Sequence, residues 1–361
     1  MDKLVLIFAI LFVSLFVSLK DLEINSRTRQ AIFLFISFLI YTLHSGLRHW
    51  SIGPDTYQYN KIFEDVKAES IDIILENVFT NNGIDPFYDL FQKTFQFVSS
   101  DYQIYLVFVG IIFFSSFCFF LFDNLRSLEQ IVLANLIFIA YFSGFYSITG
   151  IRQTIATSIL MYAFAFLKRK KHLFVILFIL LAALFHITSL IFLLTYLLLN
   201  KRSILISLFS IASFFVIFQY RYVLTPMFTL FLFSESRFEV YTEKYFEGGS
   251  FKLTLFSIIL TIIILLFNYF SKKKEDLILI YSSNLFAFSI VFLPLQWVNP
   301  SAGRIGMYFS LFLVIILPIL ISKIGFSDNK RIVFISAIAT FILLTFFSSL
   351  ENRYLFFWQN N

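Results

Sequence analysis

One cysteine, Cys118, and four histidines are the only thiol and imidazole groups among 361 residues. A lone cysteine inside an apolar run excludes an intramolecular disulfide and a cysteine-based metal centre. His44 and His49 stand near the end of an apolar run without the spacing of a metal site, so no metal ligation is expected. Charge is scarce as well. Asp, Glu, Lys and Arg make up 14% of the chain against 59% hydrophobic residues, at a mean hydropathy of +0.84. Soluble domains carry about a quarter charged residues, so a soluble fold is excluded. No phosphate-binding glycine loop or nucleophile elbow occurs. The short alternating segments of a membrane barrel are missing. So is any internal repeat, which counts against a transporter built from inverted halves.

What the chain has instead is long apolar runs. They fall at about 3–19, 31–47, 102–122, 129–147, 151–167, 172–199, 204–220, 252–270, 277–293, 306–321 and 332–350, most of them reaching the roughly 17 residues a bilayer-spanning helix needs. The expected fold is all-α: one polytopic membrane-embedded domain over 1–361 with about 11–12 spanning helices. The first run has the length of a signal peptide, but it lacks a small-residue cleavage site and a second spanning run follows, so it is kept as a helix. The basic excess, 28 Lys and Arg against 22 Asp and Glu, is explained by cytoplasmic loops that set topology, and no nucleic-acid partner is implied.

Those loops are Lys20/Arg27/Arg29, Lys168 to Lys171, Lys272 to Lys274 and Lys323/Lys330/Arg331. The first two agree if the amino terminus is outside. The last two agree only if 172–199 crosses twice or turns back, which also places Lys201 and Arg202 inside. At 28 residues this run would be about 42 Å long as one helix, too long for an upright span. A break near His186-Ile187-Thr188-Ser189 is predicted, and a single tilted helix is the alternative. Two long connections, Arg48–Asp101 and Arg221–Ser250, then face outward. Within the first, Ile71, Ile74, Leu75 and Val78 recur at helical spacing, as do Phe87, Leu90, Phe91, Phe95 and Val98. Both patterns predict amphipathic helices lying on the membrane face or capping a cavity.

In so apolar a chain the polar exceptions carry the chemistry, because an ionisable group at membrane depth is costly. Gly150 should start a helix over 151–167, placing Arg152 in its first turn, where a cation opposes the helix dipole unless an anion binds. Gln153 stands beside it. Arg304 repeats the arrangement after Asn299-Pro300-Ser301, with Ser301 as a cap and Tyr308 one turn on. Two such arginines would clamp a pyrophosphate. Arg48 ends the second span, a favourable place for any cation. Asp55 either caps the helix after Gly53-Pro54 or acts as general base on a hydroxyl. His186 interrupts an apolar run, where it is either a hydrogen-bonded structural group or a functional one. Ser236-Arg237 to Tyr241 mark the second outward connection.

Three patches together resemble the EpsG family of exopolysaccharide biosynthesis proteins, related to Wzy-type O-antigen and capsule polymerases. They are Arg48 with Ile52-Gly53-Pro54-Asp55-Thr56-Tyr57-Gln58-Tyr59, then Asp85-Pro86-Phe87-Tyr88, and then Ser147 to Ala156 followed by Phe185-His186-Ile187-Thr188-Ser189. Where the family more often has Glu-Pro, this chain has Asp85-Pro86, keeping the charge. The resemblance implies a glycosyltransferase that joins repeat units carried on undecaprenyl pyrophosphate at the outer face of the bacterial cytoplasmic membrane, working beside a flippase and a chain-length regulator. On that reading Arg152 and Arg304 would stabilise the departing pyrophosphate, and His186 or Asp55 would position or deprotonate the acceptor. Arg48, Tyr57, Gln153, Arg237, Tyr241 and Tyr308 would complete the substrate-binding set. No cofactor or metal is needed if arginines supply the positive charge. Two alternatives stay open. A polyprenyl-phosphate-dependent single-sugar transferase would usually carry an acidic pair in its first outer loop. A flippase or exporter would line a central path with charge.

Overall fold

The computed structural model describes residues 2–18, 24–53, 55–80, 85–199, 203–232, 251–270, 277–297, 300–323 and 354–359. Among them helix is the only extended regular structure, apart from one isolated bridge. Hydrocarbon offers backbone groups no partner, and helices satisfy theirs internally. Four stretches are long and apolar enough to cross a membrane: Tyr102–Asn124, Ser203–Val223, Leu277–Trp297 and Arg304–Lys323. Shorter apolar helices include Val5–Ser18, Leu128–Tyr141 and His172–Phe185. The chain is an all-α polytopic membrane protein.

By internal packing it divides into two compact units, Met1–His186 with Leu317–Asn361, and Ile187–Ile316. The first unit holds α1 (Asp2–Ser18), α2 (Ser26–Gly46), α3 (Thr56–Ala68), α4 (Ile71–Thr80), α5 (Pro86–Gln96), α6 (Tyr102–Asn124), α7 (Leu128–Tyr141), α8 (Ile151–Lys168) and α9 (His172–Phe185). Side chains start several of these helices. Asn25 Oδ1 accepts from Thr28 N at 2.8 Å, Asp101 Oδ1 from Gln103 N at 2.7 Å, and Ser127 Oγ from Gln130 N at 3.2 Å, each occupying one of the orphan amides of a first turn.

The centre of this unit is the packing of α2, α6, α7 and α8. Lipid tails are as apolar as the side chains, so close fit rather than water exclusion holds spanning helices together. Small residues provide the fit along α2 and α6. A Cβ on Gly46 would lie 2.6 Å from Val107 Cα, and Gly110 approaches the Thr42 backbone. Around that seam Phe117 packs on Phe138 at 4.5 Å and Phe113 on Tyr146 at 5.0 Å, all buried.

The connection over 48–101 is helical, as its periodicity predicts, but α5 lies against protein. Phe87 and Phe91 meet Phe185 of α9 edge-on at 5.2 Å, and Phe95 stacks on Phe108 of α6 at 5.0 Å. The apolar stripe of α5 thus caps the helix ends. Val98 lies beyond the last turn and is 84% exposed, so it is not part of that stripe.

The run 172–199 breaks where its length and flanking charges predict. Helix α9 ends at Phe185, His186 is extended, and a 3-10 segment Ile187–Leu194 leads into α10 (Thr195–Leu198). A continuous tilted helix is thereby excluded. The second unit continues with α11 (Ser203–Leu232), α12 (Phe251–Phe270), α13 (Leu277–Ser289), a 3-10 segment Ile290–Trp297, and the one-turn helices α14 (Pro300–Gly303) and α15 (Met307–Ser310). Helix α16 (Leu313–Lys323) spans the boundary between the units. Three sequence expectations are corrected here. Helix α11 continues through Arg221 to Leu232, because Arg221 folds back onto the Phe218 carbonyl and over the Phe218 and Tyr222 rings. Ser301 lies inside α14 and not at the position ahead of it. The run 129–147 is not one helix: α7 stops at Tyr141, and a single π-turn, Phe145–Thr149, precedes α8. The run 332–350 and the loops at Lys20, Lys201, Lys272 to Lys274 and Lys330/Arg331 lie outside the described residues.

The segment Tyr354–Gln359 is stitched to the end of α2. His49 N donates to Leu355 O at 2.8 Å, Phe357 N to Leu47 O at 2.9 Å, the Tyr354 hydroxyl to His44 O, and the Tyr354 and His44 rings stack at 4.4 Å. Both segments therefore belong to one side of the membrane. A reporter fused after Asn361 is expected to give the same side as one inserted in the exposed α3–α4 turn at Ser70; opposite sides would contradict the pairing.

Candidate functional site

The site is built where the three short patches of polar sequence meet. Gly53 has φ +106°, a region closed to most side chains but open to glycine. A Cβ there would also stand 2.7 Å from Thr56 Oγ1 and 2.8 Å from Ile148 Cγ2. The turn that starts α3 therefore lies directly on the π-turn that precedes α8. Thr56 Oγ1 fastens the contact, donating to Ile52 O at 2.6 Å and reaching Ile148 O at 3.3 Å. Ser45 Oγ of α2 donates to Ser147 O at 2.7 Å from the other side. Gly53 and Thr56 thus have a structural reason to accompany the Ser147–Gln153 patch.

Arg152 lies in the first turn of α8, as its distance from Gly150 predicts. Its Nη1 donates to Asp85 Oδ2 in a partly buried ion pair. The guanidinium also lies over the Tyr59 ring of α3 at 5.5 Å and the Tyr88 ring of α5 at 5.9 Å, and these two rings meet edge-on at 6.2 Å. Such cation–π contacts contribute about 0.5–1 kcal/mol each, more when shielded from water. Arg152, on α8, is therefore held from α3 and α5. Its Nε is buried with no acceptor among the described residues.

Asp85 is the residue ahead of α5, yet its carboxylate makes no capping bond to that helix. Gly150 likewise offers α8 no side-chain cap. Two uncapped helix amino termini thus converge on one ion pair, each carrying about half a positive charge. Asp89 follows one turn after Asp85 on the same face of α5. Burial pushes its carboxyl up to about 6; Arg152 opposes that rise, and Asp85 and Glu69 reinforce it.

The sign of the resulting pH dependence follows. A carboxyl whose pKa is higher in the folded chain favours folding while protonated, and that contribution disappears as pH rises through about 6. Allowing for partial solvent contact, it amounts to about 1–2 kcal/mol. The thermal midpoint in detergent should be higher at pH 5 than at pH 7.5, and Asp89→Asn should remove the difference. An unchanged difference in the variant would mean that another group is responsible.

The other expected residues are distributed unevenly. Asp55 precedes α3 but makes no capping bond through its side chain, so the capping role is not observed. Its carbonyl accepts from Tyr59 N at 3.1 Å, which sets it one turn from the ring that faces Arg152. Tyr57 is 63% exposed, and its ring lies 6.0 Å from that of Trp50. Gln153 is buried within α8. Arg48 is buried, and its guanidinium folds back onto the Ser45 carbonyl and hydroxyl, closing the last turn of α2 as a cation there favours. His186 ends α9, directly after the Phe185 ring that packs on Phe87 two residues from Asp85. Arg304 and Tyr308 belong to the second unit, where the Tyr308 hydroxyl bonds Thr188 Oγ1 at 3.1 Å. Arg237 and Tyr241 lie outside the described residues.

Sequence reasoning named Tyr59 and Tyr88 only as members of the family-like patches, gave them no role, did not single out Asp89, and did not pair Asp85 with Arg152. The signal was the spacing in Asp85-Pro86-Phe87-Tyr88-Asp89, which puts two carboxylates one turn apart at a helix start. No curated protein and no solved structure matches the chain. The family model described as EpsG family matches residues 31–360, a span that takes in every residue of this cluster, and the chain belongs to the EpsG family of polysaccharide-biosynthesis membrane proteins.

Proposed function

We propose that the protein is a polysaccharide polymerase of the bacterial cytoplasmic membrane. It would join oligosaccharide repeat units carried on undecaprenyl pyrophosphate at the outer face, for O-antigen, capsule or exopolysaccharide. The observation that carries this reading is Arg152, set beside the edge-on pair Tyr59 and Tyr88 where the amino termini of α5 and α8 meet without a side-chain cap from the residue ahead of either. That arrangement suits an anion with several oxygens. In glycosyl transfer the acceptor hydroxyl forms a bond to the anomeric carbon while the bond to the lipid pyrophosphate breaks. Negative charge then builds on the departing phosphate oxygen, and a preorganised cation there lowers the barrier. The acceptor's proton needs a nearby base. Asp89, Asp55 and His186 are the candidates for that base, and each can be tested by substitution.

The pair Asp85 and Asp89 favours a second reading, since single-sugar transferases that use a polyprenyl-phosphate donor usually carry an acidic pair in the first outer loop. The two readings separate on donor chemistry. Purified protein should convert a pyrophosphate-linked repeat unit into oligomers and leave a polyprenyl monophosphate sugar untouched. Transfer from the monophosphate alone would overturn the polymerase. In cells, loss of the gene should leave single repeat units on the surface acceptor, whereas long chains of normal length would contradict the assignment.

A further inference from the structure

We propose that Asp85 is an internal stand-in for the substrate's anion: it occupies Arg152 in the empty site and is exchanged for pyrophosphate when the lipid-linked donor binds. The inference rests on the reading of Arg152 as a pyrophosphate ligand and adds what holds that site closed. An aspartate ahead of a helix ordinarily turns its carboxylate onto its own first-turn amides. Asp85 does not; it reaches Arg152, 67 positions further along the chain. The exchange keeps the backbone frame and the aromatic contacts of the site. The first turn of α5 keeps its backbone bonds, from Tyr88 N to Asp85 O at 2.9 Å and from Asp89 N to the same oxygen at 3.2 Å. Arg152 keeps its contacts with the edge-on pair Tyr59 and Tyr88, whichever anion it faces.

The competition also favours the incoming ligand. Asp85 satisfies Nη1 of the guanidinium and leaves the buried Nε without an acceptor among the described residues. A diphosphate has enough oxygens to engage several guanidinium donors together with first-turn amides of α8, while Pro86 and the bonds from Tyr88 N and Asp89 N leave α5 only the Phe87 amide to offer. Arg152 passes from one anion to another and is never left unpaired, which is where the large cost of breaking a partly buried pair lies. Release of Asp85 also returns a carboxylate to the edge of the site while its former partner carries the substrate. The contact thus excludes stray anions from Arg152 until one with the right number of oxygens arrives.

The test uses the full chain purified in detergent, with inorganic pyrophosphate as the titrated probe and inorganic phosphate as its comparison. Wild-type protein should bind pyrophosphate, and Arg152→Ala should abolish the binding. Asp85→Asn, which removes the competing charge but keeps the shape, should tighten it about five- to tenfold. Unchanged or weaker binding in Asp85→Asn, with wild-type binding still dependent on Arg152, would overturn the exchange and leave the pyrophosphate reading standing. Binding that ignores Arg152, or none to the wild type, would overturn both. If Asp85→Asn fails to fold, the reversal Asp85→Arg with Arg152→Asp keeps a pair. It should retain the wild-type thermal midpoint and lose pyrophosphate binding; retained binding would sink the proposal.

Discussion

Arg152→Ala should reduce polymer formation by about 100- to 1,000-fold, the range seen when one preorganised donor is removed from a developing oxyanion. The effect is expected in turnover more than in donor affinity, because the charge that Arg152 meets grows as the glycosidic bond breaks. Arg152→Lys keeps the charge but loses the planar fork and its contacts with the Tyr59 and Tyr88 rings, so it should recover only part of the rate. The single alanine variant also leaves Asp85, 10% exposed, without its cation, which by itself destabilises the fold. Arg152→Ala combined with Asp85→Asn removes that complication. The double variant should unfold near the wild-type temperature and still make no polymer. A double variant that polymerises normally would show that Arg152 acts only as a structural ion-pair partner.

Gly46→Val should be the most damaging single change to stability. The added Cβ alone would stand 2.6 Å from Val107 Cα and equally close to its Cγ2, and backbone cannot retreat as a flexible side chain can. Overpacking of this kind destabilises by about 1–3 kcal/mol, and α2 would have to separate from α6 to relieve it. The end of α2 anchors Arg48, Ser45 and the strap Tyr354–Gln359, so the loss should extend to the site. Gly144→Ala is the matched control, since nothing stands within 4 Å of its Cβ position. Thermal midpoints in detergent should fall by several degrees for Gly46→Val and stay within about a degree for Gly144→Ala. Equal midpoints would mean that the α2–α6 seam is looser than its geometry indicates.

The sequence by itself determined that this is a helical membrane protein, and why. Hydropathy is a local property that adds up over a window, and lipid is a solvent that accepts only segments with every backbone group satisfied. The same arithmetic found the break at His186, because 28 apolar residues flanked by basic loops fit no single upright helix. It also put Arg152 in a first helical turn, since Gly150 must begin one. The family resemblance gathered the right three patches without saying how they touch. Only the tertiary structure decided which carboxylate Arg152 meets. Asp55, Asp65, Asp72, Asp85 and Asp89 all stand in one polar connection and look alike to any count of charge or spacing. The choice of Asp85 depends on how α3, α5 and α8 pack, which in turn depends on a left-handed glycine at 53 and on Phe87 and Phe91 docking against Phe185. The same holds for Arg48, whose guanidinium turns back to Ser45, and for the strap at Tyr354–Gln359. Pairings over so long a stretch of chain are fixed by shape in three dimensions, and shape leaves no local trace in composition.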